Sequence, residues 1–120
     1  MARKRMIDPS FWIDEKLGML DIISRLLFMG LISNADDDGR LVGHPSLIKS
    51  IIFPYDQDIT VVDIITKLQE LAELNMIILY KNNNQSYIQV THFKKYQTIN
   101  KPTPSKYPSY NDSNSVVELR

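Results

Sequence analysis

The chain has 120 residues and no cysteine. Disulfides, thiolate metal sites and a cysteine nucleophile are therefore excluded, and the absence fits a reducing compartment. Its two histidines, His44 and His92, lie far apart, and neither has a zinc-type spacing to a partner. The four glycines are scattered, so no glycine-rich phosphate loop is present. No serine has the context of a nucleophile elbow. No apolar run approaches the roughly 18 residues that a membrane span needs. The basic start, Met1 to Arg5, is not followed by the apolar segment of a signal peptide. The expectation is a cytoplasmic binding protein with no membrane contact, no catalytic centre, no cofactor and no metal. At 43% hydrophobic and 23% charged residues, the composition is that of an ordinary soluble domain, and the length fits one.

Net charge is also absent, but the zero hides a partition. Residues 1–7 hold Arg3, Lys4 and Arg5 and no acid. Residues 8–73 hold 12 acids against five bases. Residues 74–111 then hold Lys81, Lys94, Lys95, Lys101 and Lys106 and again no acid. A mixed surface does not give such blocks. Charge asymmetry of this kind points to an anionic partner, of which nucleic acid is the usual one.

What is present is organised around Thr60 to Val90. Thr60 and Asp63 have the spacing of a capping box. Val61, Ile64, Ile65, Leu68, Leu71 and Ala72 follow at helical spacing. Asn75 suits a left-handed stop. Met76 to Tyr80 then reads as a strand, Lys81 to Gln85 as a polar turn, and Ser86 to Val90 as a second strand. Period-two alternation puts Ile88 and Val90 on one face and Tyr87 and Gln89 on the other. A helix running straight into a hairpin, with two or three helices before it, is the order of a winged helix. The expected class is α+β and mostly helical: a winged helix-turn-helix of three to four helices plus a C-terminal hairpin wing.

Asp8-Pro9 opens a short first helix that ends near Gly18, and Phe11 and Trp12 are expected in the core. A second helix covers Asp21 to Ser33. It is apolar nearly all round and so is expected to be central and buried, with Gly30 permitting close approach. Arg40 to Val42 suggests a short strand. His44-Pro45 opens a third helix that Pro54 ends. Residues 1–98 are expected to form the winged helix with its basic arm. Thr91 to Gln97 reads as a helical turn anchored by Phe93. Residues 99–120 are expected to be a Pro/Lys-containing extended tail, with the serine- and asparagine-rich end from Ser109 disordered.

The acidic turn Asn34 to Gly39 matches the first six positions of a calcium loop. The twelfth position, which must be a bidentate acid, is Pro45, so a structural turn is expected. His92, beside Lys94 and Lys95, faces an anionic ligand or plain solvent. The positive signal is the interleaving of cations and rings after residue 80, because lysines neutralise phosphates and rings stack on bases. The outward positions of the Thr60 helix carry Asp63, Glu70 and Glu73 against Lys67 alone. That helix repels phosphate and has no arginine for guanine. Candidate nucleic-acid contacts are therefore Arg3, Lys4, Arg5, Lys81, Asn83, Asn84, His92, Lys94, Lys95, Tyr96, Lys101 and Lys106, with Tyr107 as a further stacking ring.

Arg5 to Trp12, Leu26 to Leu31, Ala35 to Leu41, Phe53 to Asp56 and Tyr87 to Pro102 together resemble the N-terminal domain of phage replisome-organiser and DnaD-like replication proteins. The resemblance covers roughly residues 3–108. It implies a winged helix that binds DNA, self-associates and serves at replication origins among other replication proteins. Longer members carry a second, helical domain that binds single-stranded DNA and helps load the helicase. These 120 residues hold no counterpart of it, so helicase loading is not carried over. Two rival readings are a winged-helix transcriptional regulator and a protein-interaction module with little DNA binding.

Overall fold

A computed structural model describes residues 3–119. Residues 1–2 and 120, at the ends of the two expected segments, lie outside the described residues. The fold is α+β, with five helices and a four-stranded antiparallel sheet. None of the described helices is long and apolar enough to cross a membrane.

Asp8 caps a 3-10 turn, Pro9–Ile13, by accepting from the Ser10 N–H. The chain does not continue as one helix. Asp14 turns extended, accepts from the Leu17 N–H and caps a new short helix, α1 (Glu15–Gly18). Trp12, expected in the core, is 68% exposed and meets the Phe11 ring edge-to-face. Helix α2 (Ile22–Asn34) is capped by Asp21 and buries Leu27, Phe28, Leu31 and Ile32. It is not covered on all sides, because Ile22 and Leu26 face solvent. A Cβ on Gly30 would sit 2.6 Å from Ile52 of α3 (Pro45–Ile52), so glycine there sets the close α2–α3 approach.

Strand β1 (Arg40–Val42) lies between α2 and α3 in sequence. Helix α4 (Val61–Glu73) shows both bonds of the Thr60–Asp63 capping box and stops before Asn75 at φ 61°. Its inner residues Ile64, Leu68 and Leu71 join Leu27 and Leu31 in one core with Ile77, Ile88 and Val90 of the sheet. Strands β2 (Ile77–Asn82) and β3 (Gln85–Val90) run longer than expected and leave only Asn83 and Asn84 as the turn. Both have positive φ, the conformation of a type I′ hairpin, which asparagine tolerates. Helix α5 (Phe93–Tyr96) follows and buries Phe93.

The end of the chain departs from the expected disorder. Residues Ser115–Leu119 form strand β4, paired antiparallel with β2, so the sheet order is β1-β3-β2-β4. The segment before it straps the face of the sheet turned away from the helices. Buried Tyr80 donates its hydroxyl proton to the Pro108 carbonyl at 2.7 Å, and Tyr107 packs on Tyr87. Burial pushes the Tyr80 phenol up to about 12. Asn82 donates to Ser115 Oγ. These partners lie far along the chain, where local composition carries no sign of them.

Candidate nucleic-acid interface

The acidic turn is the centre of the site. Asp36 Oδ1 accepts from the Asp38 and Arg40 amides, both at 2.9 Å, which closes the turn. Gly39 has φ 82°, and a Cβ there would meet Phe93 at 2.6 Å. Three separate stretches of chain then converge on the carboxylates.

The N-terminal arm supplies two arginines to Asp37. Arg5 Nη2 lies 2.9 Å from Asp37 Oδ1, and Arg3 Nε lies 3.4 Å from Oδ2. The tail supplies the Thr103 amide to Asp37 and the Ser105 amide to Asp38. Helix α5 supplies Lys94, whose ammonium lies 2.9 Å from Asp38. The Thr103 amide and then the arginines hold the Asp37 carboxyl below its usual range. Lys94 is the main cause of the same shift at Asp38, followed by the Ser105 amide. Arg3 also donates to the carbonyls of Asn100 and Lys101 and ties the arm to the tail. The turn spends its oxygens on protein donors. Among the described residues, no group of three or more His, Asp or Glu is placed to hold a metal ion.

The expected contact residues fall into distinct sets. Arg5 is part of the fold: its side chain is 3% exposed, paired with Asp37, bonded to the Ala35 carbonyl and placed over the Phe93 ring. Those contacts take up the side chain that was expected to face DNA. Arg3 and Lys94 are paired yet open to solvent, Lys94 at 74%. Lys4, Lys95, Lys101 and Lys106 are exposed, and none of them is ion-paired among the described residues. Lys106 and Arg3 line one hollow with Asp36 and Asp37. The arm, α5 and the tail therefore bring Arg3, Lys94 and Lys106 to one turn, while Lys4, Lys95 and Lys101 are exposed on the same three segments.

The wing stands apart from that belt. Lys81 lies 3.8 Å from Glu118 of β4, a long pair between half-exposed groups. Asn83 and Asn84 are exposed at the hairpin tip. His92, at φ 54°, leads into α5 and lines a different hollow. That hollow, about 440 Å³, is floored by Phe11, Phe28, Ile32 and Phe93. Tyr96 also borders it, with Lys95 over its ring at 5.3 Å. Tyr107 is half-buried, and its ring packs at a tilt of 42° against Tyr87. His44 caps α3 by position only, with no side-chain bond.

Arg40 was missed by sequence reasoning. It bridges Gln89 Oε1 and the Tyr107 carbonyl, so it fastens β1, β3 and the tail. Within the sequence it is simply one charged residue opening a short strand. Thr103 and Ser105 were missed as well. They contribute backbone amides, and the only available signal was an extended proline-rich path that leaves amides unpaired.

Comparison of the chain with protein-family models, with curated proteins and with solved structures finds no match in any of the three.

Proposed function

We propose that this protein is a winged-helix DNA-binding domain of phage-type replication initiation. The observation that carries DNA binding is the set of Arg3, Lys94 and Lys106 at the Asp36–Asp38 turn, with Lys4, Lys95 and Lys101 exposed in a belt on the same arm, helix and tail. Each exposed lysine there neutralises a phosphate and releases a counterion, so the contact is to backbone rather than to base edges. The hairpin tip, Asn83-Asn84, supplies a polar probe of a groove or backbone. The winged-helix reading is supported by the order α2, β1, α3, α4 and then the β2–β3 hairpin, with α1 before them. Replication, self-association and replication-protein partners rest on the sequence resemblance alone.

The test is fluorescence anisotropy with random duplex and with single-stranded DNA across a salt series. The intact chain is compared with K95A/K101A/K106A. The expected result is binding to duplex whose log–log salt slope falls by about two to three in the variant. Binding that is absent at low salt, or a slope the variant leaves unchanged, overturns the reading.

A further inference from the structure

The outer face of α4 has no part in the DNA reading, and its chemistry points elsewhere. Val62, Thr66, Gln69 and Glu73 follow one line along the helix, and all four are exposed. Val62 is 69% exposed, with Val61 and Ile65 also open beside it. Single apolar residues at a surface are ordinary. Three β-branched ones within the first two turns of one helix are a patch. The lead-in turn adds Tyr55, almost wholly exposed.

Around this patch the charge is of one sign. Asp56 and Asp58 stand in the lead-in turn, and Asp63, Glu70 and Glu73 lie on the helix. The helix has one base, Lys67, and its ammonium is already bound to Asp21 on the neighbouring helix at 2.8 Å. Thr60 holds the Asp63 carboxyl below its usual range, so it stays ionised.

We infer that the outer face of α4 docks a basic, amphipathic segment of a partner protein. Its aliphatic side chains would lie against Val62 and Ile65 and its lysines or arginines against Asp58, Asp63 and Glu73. The charge selects this occupant. A nucleic acid would bring phosphates to carboxylates. A second copy of the chain, meeting face to face, would set the same carboxylates against each other. The inference stands independently of the DNA reading, because it uses none of the belt residues.

The probe is a fluorescein-labelled helical peptide of leucine and lysine, roughly 18 residues long. A leucine–glutamate peptide of the same pattern is the control. Anisotropy is read on the full chain, alongside amide NMR shifts. The expected result is about tenfold tighter binding of the lysine peptide, with shifts concentrated between residues 55 and 73. V62S/I65S weakens the binding at least fivefold, roughly the loss of two buried aliphatic contacts. D58N/E73Q, at two exposed positions where folding is safe, weakens it and flattens its salt dependence. Four results overturn the proposal: equal binding of both peptides or none, shifts confined to the hollow floored by Phe11 and Phe93, binding unchanged in D58N/E73Q, or α4 shifts produced by duplex DNA or by raising the concentration of the chain alone.

Discussion

Arg5 and Asp37 form a buried ion pair at 2.9 Å, with their side chains 3% and 5% exposed. They lie 32 residues apart in sequence. The pair fixes the N-terminal arm on the acidic turn, and Asp37 then holds Arg3 and the Thr103 amide as well. Removing Arg5 takes from buried Asp37 its one buried cation and leaves it only the half-exposed Arg3 and the Thr103 amide, and it also strips the Ala35 carbonyl of its donor. Arg5→Ala is expected to lower the thermal midpoint by roughly 10 °C or more. Thermal unfolding followed by circular dichroism checks this. A drop no larger than that of the exposed Lys4→Ala would refute the structural role of Arg5.

The Asp21–Lys67 pair gives a pH prediction. Lys67 is the main cause that lowers the Asp21 carboxyl to about 2, and the Ser24 bonds add to it. A carboxyl depressed in the folded state contributes stability that is present above its unfolded value near 4. That contribution is lost as pH falls through the folded value near 2. Asp21 is more than half exposed, so solvent screening holds the ion-pair part to about 1 kcal/mol or less. Asp21→Asn keeps the helix cap and loses the charge, and it should flatten the fall in stability between pH 4 and pH 2. Asp21→Ala also loses the cap, and should cost about 1 kcal/mol more than Asp21→Asn at neutral pH. Urea unfolding at a series of pH values measures both.

Gly30 tests the α2–α3 contact. Alanine is favoured over glycine inside a helix by about 1 kcal/mol. Here the added methyl would meet three carbons of Ile52 at 2.6–2.8 Å. Overpacking of this kind costs about 1–3 kcal/mol, so Gly30→Ala is expected to destabilise. Ile52→Ala should remove the clash. In the double variant Gly30→Ala then becomes neutral or stabilising, which a double-mutant cycle reads directly.

The sequence made α4 and the hairpin legible because their signals are local. The Thr60–Asp63 box, the Asn75 stop and the Ile88/Val90 alternation each lie within a few residues, and each is found in place. The acidic turn was legible as a turn but not as a hub. The donors it gathers at Thr103 and Ser105 lie 66 to 69 residues later. Two of those three bonds come from backbone amides, which no residue type announces. The exposure of Trp12, Ile22 and Leu26 was illegible for a related reason. Hydrophobicity says that a residue can be buried, and only the packing partner decides that it is. Strand β4 was read as disorder from its serines and asparagines, yet Val116 to Leu119 find the free edge of β2. Of the candidate site, the lysines were visible as a charge block, while the loss of Arg5 to the fold needed the three-dimensional pairing.

The hairpin tip gives a fourth prediction. Asn83 and Asn84 both hold positive φ, at 50° and 65°. Glycine at the second position of a type I′ turn removes the side-chain strain, and Asn-Gly is the preferred pair. Asn84→Gly is expected to stabilise by about 0.5 kcal/mol, and Asn84→Ala to destabilise by about 1 kcal/mol. Shifts in the urea midpoint with an unchanged m-value would show that stability alone has changed, with the same surface exposed on unfolding.

The last prediction concerns the competition between the acidic turn and phosphate, and it presumes the DNA reading. Asp38 binds the ammonium of Lys94 at 2.9 Å, although Lys94 is largely exposed. A phosphate arriving there must compete with that carboxylate. Asp38→Asn keeps an acceptor for the Ser105 amide, so the tail stays in place, but it removes the charge that holds Lys94. Duplex affinity at moderate salt is expected to rise about two- to fivefold, and the salt slope to steepen by about one, as one more cation becomes free to displace a counterion. Asp56→Asn, an equal change of charge in the exposed turn leading into α4, serves as control and should leave the slope unchanged. If both variants raise affinity alike, the gain is long-range electrostatics and Lys94 has no privileged place in the belt. If only Asp38→Asn does so, the turn acts as a built-in rival to DNA for the lysine beside it.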